Sequence, residues 1–239
     1  LGSAQVALSG GSRAAQYMLL EQAIRETRPG GAGDPALLQP AGREALARYL
    51  GGGRVVFGVN RAADILQVLA LARRHGMQPV IAGGAEAWLV ATELAAAKAA
   101  VVLDPLVNLP ASFDALGARL DNAARLQRAG VVVVFSMTGL APHFAHKVRQ
   151  SAGNAVAHGM PWDAALAGLT ANPAAVFGLG ASRGRIETGM VADLVLWNGD
   201  PLEVTSAADQ VWVGGKPMSM RSRQTELLDR YLPQAARQP

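Results

Sequence analysis

The sequence contains no cysteine, and this absence excludes several kinds of chemistry at once. Without cysteine, the 239 residues cannot form disulfides, thiolate zinc sites, iron–sulfur clusters or cysteine nucleophiles. Histidine is also scarce, with four residues. A metal site built by this chain would therefore have to combine these few imidazoles with carboxylates.

Clustered basic residues, abundant aromatic residues and long apolar segments are missing too. The net charge is +4, but Lys and Arg are scattered and aromatic residues make up 5% of the chain, so no nucleic-acid surface is predicted. No apolar run approaches the ~18 residues that span a membrane. Residues 1–13 lack the pattern of a signal peptide. We expect a soluble protein, cytoplasmic or periplasmic, and a first residue other than Met suggests a piece of a longer chain.

Short β-branched runs alternate with amphipathic Ala/Leu-rich stretches from Arg54 onward. Strands are predicted at 54–59, 78–82, 99–103 and 131–135. The helices that follow them are predicted at 61–75, 85–97, 113–129 and 143–158. Four such units joined by short turns favour an α/β fold with parallel strands, either half of an eight-stranded barrel or a doubly wound sheet.

The flanking regions have a different character. Helices are predicted at 12–27, 42–50, 161–170, 172–177 and 224–232, and a mobile loop at 29–34. A period of two predicts short antiparallel strands at 185–187, 192–197 and 210–213. We divide the chain into a lead-in at 1–53, four barrel units with closing helices at 54–180, a β-sandwich segment at 181–220 and a tail or helix at 221–239.

Polar residues directly after the predicted strands are the candidates for a site, because parallel sheets bind ligands at the carboxyl ends of their strands. The pocket candidates are Asn60, Arg61, Glu86, Asp104, Ser136 and Thr138. They offer two carboxylates, an amide, two hydroxyls and one guanidinium, but no imidazole. No residue is predicted with a definite catalytic role.

Each candidate also has a structural interpretation. Glu86 lies at the first turn of a predicted helix, where the helix dipole stabilises a carboxylate, although it could also form a polar wall of a pocket. Asp104 could act as a general base or form a turn with Pro105. Ser136 lacks a Gly-x-Ser-x-Gly elbow and a His partner. His143 and His146 could share a metal, but no third ligand is evident, so polar surface residues are the favoured interpretation.

Three stretches of the sequence together carry a resemblance to a known family. The first is VNRAADILQVLALARRHGMQPVIAGGAEAWLVATELAAAKAAVVLDP, at 59–105. The others are GNAVAHGMPWDAALAGLTANPAAVFGL and GRIETGMVADLVLWNGDPLEVTSAADQVWVGGKPM, at 153–179 and 184–218. They resemble the metal-dependent amidohydrolase superfamily, in its imidazolonepropionase-like branch. The resemblance implies the C-terminal half of an amidohydrolase-like (β/α)8 TIM-type barrel with strands of a small β-sandwich. It also implies a zinc-dependent hydrolase acting on C–N bonds other than linear peptide bonds.

The sequence departs from this family where the resemblance implies metal ligands. A family phrase similar to His-Ala-His-Arg-Ala is replaced by Gly58-Val59-Asn60-Arg61-Ala62. A second His is replaced by Gly83 and Gly84, and an Asp by the segment Ser136-Met137-Thr138-Gly139. We therefore expect no metal site from this chain, and zinc only if its ligands come from residues outside it.

Two function classes follow from these observations. The first is an amidohydrolase-like hydrolase without a metal centre of its own. The alternative is a non-catalytic homologue, a pseudoenzyme that acts as a binding or structural subunit. A half-barrel leaves open strand edges, so we expect the missing N-terminal half or a second copy of the chain as a partner, in a homo- or hetero-oligomer. Neither nucleic acid nor a membrane is expected as a partner.

Overall fold

The fold is that of a computed structural model, which describes residues 11–50, 53–107, 109–137 and 142–232. Two helices precede the first strand, α1 (Arg13–Glu26) and α2 (Pro40–Leu50). The four strands that follow are β1 (Arg54–Val59), β2 (Gln78–Gly83), β3 (Ala100–Leu103) and β4 (Val133–Phe135). They form one parallel sheet in the order β1-β2-β3-β4. The predicted α/β class and its four parallel strands are confirmed.

Each strand is followed by helical structure that packs on the sheet. These helices are α3 (Ala62–His75), α4 (Ala91–Ala96), α5 (Asn122–Arg128) and α6 (Val148–Ala157). The predicted stop of α3 at Gly76 is confirmed, because Gly76 adopts φ +66°, a left-handed conformation that favours glycine. Short 3₁₀ turns, Ala87–Val90 and Pro142–Lys147, precede α4 and α6, so the predicted helices 85–97 and 143–158 are regular only in their later parts.

The predicted helix 113–129 is wrong over its first half. Only Asn122–Arg128 is helical, and residues 109–121 form turns. The apolar spacing of this segment suggested a helix with one buried face. Phe113 and Leu116 are exposed, however, so no such face is buried and the helix lacks its main source of stability. Contacts with side chains of other elements hold this segment instead.

The carboxyl-terminal part adds two helices, a three-stranded antiparallel sheet and an end helix. These elements are α7 (Trp162–Leu169), α8 (Ala171–Val176), β5 (Leu194–Trp197), β6 (Ala208–Val213), β7 (Lys216–Pro217) and α9 (Arg223–Tyr231). The predicted strand 185–187 is wrong, because Arg185 and Glu187 pair with each other and Ile186 is exposed. The strand β7 was not predicted, because two residues are too few to show the alternation of apolar and polar residues that identifies a strand.

Alternate strand residues feed two separate apolar clusters. Phe57, Ile81, Val101 and Leu103 point toward the helices and join the main core. Val80, Ala100, Val102 and Val134 form a second cluster on the other face, closed by Val176 of α8. Val56, on β1, remains 51% exposed. Among the described residues, the second face is therefore covered over β2 to β4 and open at β1.

The Asn-Pro and Gly-Asp-Pro-Leu phrases hold the outer elements on the sheet. Asn172 Nδ2 donates to the Val133 carbonyl on β4 at 2.9 Å. Leu202 is buried in the main core, and its carbonyl would lie 2.5 Å from a Cβ on Gly153. Arg149 of α6 donates to the carbonyls of Pro201, Glu203 and Ser206. In the described part of the chain, no helix combines the length and apolar character that crossing a membrane requires.

Truncation of Leu202 tests this attachment. We expect Leu202→Ala to lower the free energy of unfolding by about 2–5 kcal/mol, because a buried leucine leaves a cavity when shortened. Val204→Ala, at a position 66% exposed, is the matched control and should change it by less than about 0.5 kcal/mol. Urea denaturation measures both, and equal effects of the two substitutions would show that Leu202 does not anchor this segment.

A buried carboxylate fixes the segment between α1 and α2. Glu26 accepts hydrogen bonds from the backbone N–H groups of Leu37 and Leu38 at 2.7 and 2.8 Å. These two bonds lower the pKa of Glu26. Because the folded-state pKa lies below the unfolded value of about 4.3, the carboxylate stabilises the fold above that pH, and this contribution is lost as the pH falls through the folded-state pKa.

Substitution of Glu26 by glutamine tests the pH dependence. We expect Glu26→Gln to lower stability at neutral pH and to flatten its decline between about pH 5 and pH 3, since the group that titrates is removed. The exposed Glu44→Gln is the control and should retain the wild-type slope. Urea midpoints measured across this range give the comparison, and an unchanged slope in Glu26→Gln contradicts the assignment.

Candidate functional site

The carboxyl ends of β1 to β4 lie at one edge of the sheet and bring most of the predicted site residues together. Asn60 and Arg61 follow β1, Glu86 follows β2, and Asp104 and Ser136 directly follow β3 and β4. Thr138 lies outside the described residues.

Hydrogen bonds join the ends of β1 and β2 directly. Gly84 N donates to the Val59 carbonyl at 2.7 Å, and Glu86 N donates to the Asn60 carbonyl at 2.9 Å. The side chain of Asn60 takes part as well, because its Oδ1 accepts from Ala85 N at 3.4 Å. The Asn60 amide oxygen, which was predicted to face a pocket, therefore forms a hydrogen bond that connects the two strand ends.

Glu86 stabilises a helix other than the one predicted. Its Oε2 accepts from the backbone N–H of Ala62 at 3.0 Å, and Ala62 is the first residue of α3. The first N–H groups of a helix have no partner within it, and the helix dipole favours a negative charge there. The carboxylate therefore caps α3 from the neighbouring β2 end.

Residues 109–121, here named the carboxyl-edge loop, precede α5 in the chain and contact side chains that follow β2. Asp114 pairs with Arg13, which also pairs with Asp64 of α3. Trp88 Nε1 donates to the Gly117 carbonyl at 2.9 Å. A Cβ on Gly117 would lie 2.7 Å from Glu86 Cγ, so the loop packs closely on the Glu86 side chain. Only glycine allows this approach.

A charged cluster holds the far end of the loop. The guanidinium groups of Arg119 and Arg125 lie 5.0 and 5.1 Å from the centroid of the Trp88 ring, and both groups bind Asp121. The hydrogen bond from Arg119, followed by that from Arg125, lowers the pKa of Asp121. Sequence reasoning missed this cluster; the one local signal is the i,i+4 spacing of Asp121 and Arg125.

Asp104 is buried at the end of β3. Its Oδ1 accepts from Leu106 N at 3.0 Å and from the hydroxyl of Ser151 at 3.1 Å. The first of these bonds confirms the predicted turn. The second joins β3 to α6 through Ser151, a fully buried side chain that sequence reasoning did not single out.

The remaining two candidates are less constrained. Ser136 is half-buried, and its backbone N–H donates to the Leu103 carbonyl at 3.0 Å, which places it beside Asp104. Arg61 is exposed and makes no ion pair with the described residues. The edge thus has two sides: Asn60 and Glu86 at β1 and β2, and Asp104 and Ser136 at β3 and β4.

Comparison with known proteins identifies the family. The model of the Amidohydrolase family matches residues 39–218, which include the whole parallel sheet and the three antiparallel strands β5 to β7. The chain belongs to the amidohydrolase family. The four parallel strands correspond to about half of the TIM-type barrel of its solved relatives.

Three relatives show how far the similarity extends. The chain matches a Thermotoga maritima MSB8 amidohydrolase with a TM-score of 0.70 and 26% identity, over 86% of this chain and 52% of that one. A Xanthomonas campestris adenosine deaminase solved with bound zinc shares the fold, with a TM-score of 0.54 and 21% identity over 84% and 54% of the two chains. The amidohydrolase tasK of Hapsidospora irregularis is 47% identical over 58 residues, 24% of this chain and 6% of its own.

The chain therefore spans about half the length of these solved amidohydrolase-fold relatives. The resemblance implies a zinc ion held at the strand ends. A catalytic zinc takes about three His or carboxylate ligands. In the part of the chain that the structure describes, no three His, Asp or Glu side chains are grouped to hold an ion.

The donor chemistry at the strand ends explains this result. Asn60 offers an amide oxygen that already accepts from Ala85, and Met137 offers a thioether, which suits soft metals and not zinc sites of this type. The Glu86 and Asp104 carboxylates bind protein donors. The strand-end residues that the structure describes do not fit a zinc ion.

The backbone at Gly83 also disfavours a metal-binding side chain at the end of β2. Gly83 adopts φ +98°, and a Cβ placed there would lie 2.5 Å from Asn60 Oδ1 and 3.3 Å from the Val59 carbonyl. A histidine at this position would need a different backbone. At Gly58, by contrast, a Cβ would meet nothing within 4 Å.

Alanine substitutions distinguish the two glycines. We expect Gly83→Ala to lower the free energy of unfolding by about 1–3 kcal/mol, because it imposes a left-handed backbone on a residue with a Cβ and crowds Asn60. Gly58→Ala is the matched control in the neighbouring strand and should change it by less than about 1 kcal/mol. Thermal and urea unfolding measure the difference. Equal tolerance at both positions would mean that the β2 end can adopt another backbone at little cost.

Proposed function

We propose that this chain is the carboxyl-terminal half of an amidohydrolase barrel that has no metal centre of its own and acts as a non-catalytic binding or structural part. The observation that carries the proposal is the use of the strand-end side chains. Asn60 joins two strand ends, Glu86 caps α3, and Asp104 joins β3 to α6. Their polar atoms therefore serve the fold at the positions where the resemblance implies metal ligands.

The reaction class explains why these replacements matter. Hydrolysis of a C–N bond by a metal-dependent enzyme uses a water whose pKa the metal lowers to ~7. A water without a metal has a far higher pKa and yields almost no hydroxide at neutral pH. A strand end that carries glycine and an occupied amide provides neither the charge to hold the metal nor a free base beside it. We infer that these residues do not generate the nucleophile.

A second candidate function has its own support. The chain spans about half of the solved relatives, so a further segment could contribute ligands and complete a hydrolase acting on C–N bonds. One fold relative, the Xanthomonas campestris adenosine deaminase, was solved with bound zinc. This candidate differs from the first in a measurable way, because it requires a metal in the complete protein.

The sheet also supports a proposal about partners. A parallel sheet is normally buried on both faces, yet Val56 of β1 is 51% exposed while Val80, Val102 and Val134 are buried. We infer that the β1 side of this face contacts the N-terminal half of a barrel or a second copy of the chain. The contact would bury the apolar face that the described residues leave open.

Metal analysis of the purified protein tests the proposed function. We expect less than about 0.1 zinc per chain after incubation with zinc and gel filtration, since no ligand set retains the ion. We also expect no hydrolysis of cyclic amides or of N-acyl and aminopurine compounds above the rate in buffer. Elemental analysis by mass spectrometry and product detection by chromatography provide the readouts.

Variants make this test sharper. Asn60→Ala and Glu86→Gln should lower stability without changing the zinc content, because both residues serve the fold. Stoichiometric zinc in the complete protein, together with C–N hydrolysis, would establish the second candidate and refute the first.

A further inference from the structure

One buried carboxylate of the described chain lacks the compensation that the others receive. Asp64 and Asp114 share the guanidinium of Arg13, and Glu26 accepts from two backbone N–H groups and from Gln22. Asp104 is 6% exposed and has no cationic partner among the described residues. A buried negative charge is costly unless it is paired, so this position needs an explanation.

The geometry of Asp104 leaves one oxygen available. Both of its protein donors, Leu106 N and the Ser151 hydroxyl, bind Oδ1. Oδ2 has no hydrogen-bond donor within the described residues, and it is not sealed from solvent. The two donors on Oδ1 fix the orientation of the carboxyl group, so Oδ2 is held in one direction.

The position of Asp104 is that of a ligand contact. It directly follows β3 at the carboxyl edge of the sheet, where barrels and open α/β sheets bind their ligands. Ser136, at the end of the adjacent β4, provides a half-buried hydroxyl beside it. A buried, oriented and uncompensated carboxylate at this edge is suited to a positively charged donor, because charge-assisted hydrogen bonds are the stronger ones.

We propose that Asp104 binds the cationic nitrogen group of a small molecule, an ammonium or amidinium, through Oδ2. The inference rests on the proposed function in one respect, since it places a ligand at an edge without a metal. Leu106 and Ser151 act as positioning residues: they hold the carboxylate and do not contact the ligand. The ligand supplies the positive charge that the described residues do not.

Paired small probes test the proposal on the full chain. Butylammonium and benzamidinium carry the charge, and butanol and benzamide are their neutral counterparts. We expect ligand-observed NMR and calorimetry to detect the cationic probes and not the neutral ones. Asp104→Asn keeps the shape of the side chain and removes the charge, so it should weaken binding by about 10- to 100-fold.

Two further variants separate charge from structure. Asp163→Asn removes an exposed carboxylate from the first turn of α7 and should leave binding unchanged. Ser151→Ala retains the charge but releases one of its two orienting bonds, so it should weaken binding less than Asp104→Asn. Melting temperatures of all variants establish that each is folded under the binding conditions.

The outcomes also distinguish this inference from the proposed function. Equal binding of charged and neutral probes by the wild-type chain overturns the Asp104 assignment, and so does unchanged binding of the cations by folded Asp104→Asn. Zinc content is measured on the same preparations. A metal-bound protein refutes the proposed function, whereas a metal-free protein that fails to select cations refutes the Asp104 assignment alone.

Discussion

The carboxylate of Glu86 connects three parts of the molecule that sequence separates. It follows β2, accepts the first backbone N–H of α3, and packs against Gly117 of the carboxyl-edge loop. An uncapped helix start leaves N–H groups without partners, and a negative charge is the group that best satisfies them. The arrangement of β1, β2 and the loop therefore depends on the charge of this one side chain.

The loop follows from this constraint. Gly117 can approach Glu86 only because it lacks a Cβ, and the approach sets the loop where Trp88 and Arg13 can bind it. In a regular helix, the i to i−4 backbone hydrogen bonds would set the positions of Asp114 and Gly117, and these contacts would not form. The turns of residues 109–121 are thus stabilised by side chains from the rest of the fold and not by local preference.

This distinction explains how much could be predicted from the sequence. The four parallel strands and α3 were predicted to within a residue or two because their apolar periods match what they bury, as with Phe57 and Val59 on β1. The loop was predicted wrongly because its contacts, such as Asp114 with Arg13, join residues far apart in the chain. The partners of Glu86 and Asp104 were beyond prediction for the same reason, although the positions of both residues at strand ends were predicted correctly.

The residues that attach the outer elements to the sheet differ from the strand-end residues, where barrels carry out their chemistry. Leu202, Arg149 and Asn172 attach the outer elements to the sheet, and they lie within the stretch that matches the amidohydrolase family. None of them is at the strand ends where an ion or ligand would bind. The contacts that define the fold are therefore separate from the groups at the strand ends. Because a barrel separates stability from chemistry in this way, activity has to be argued from the strand-end residues and not from the contacts that define the family.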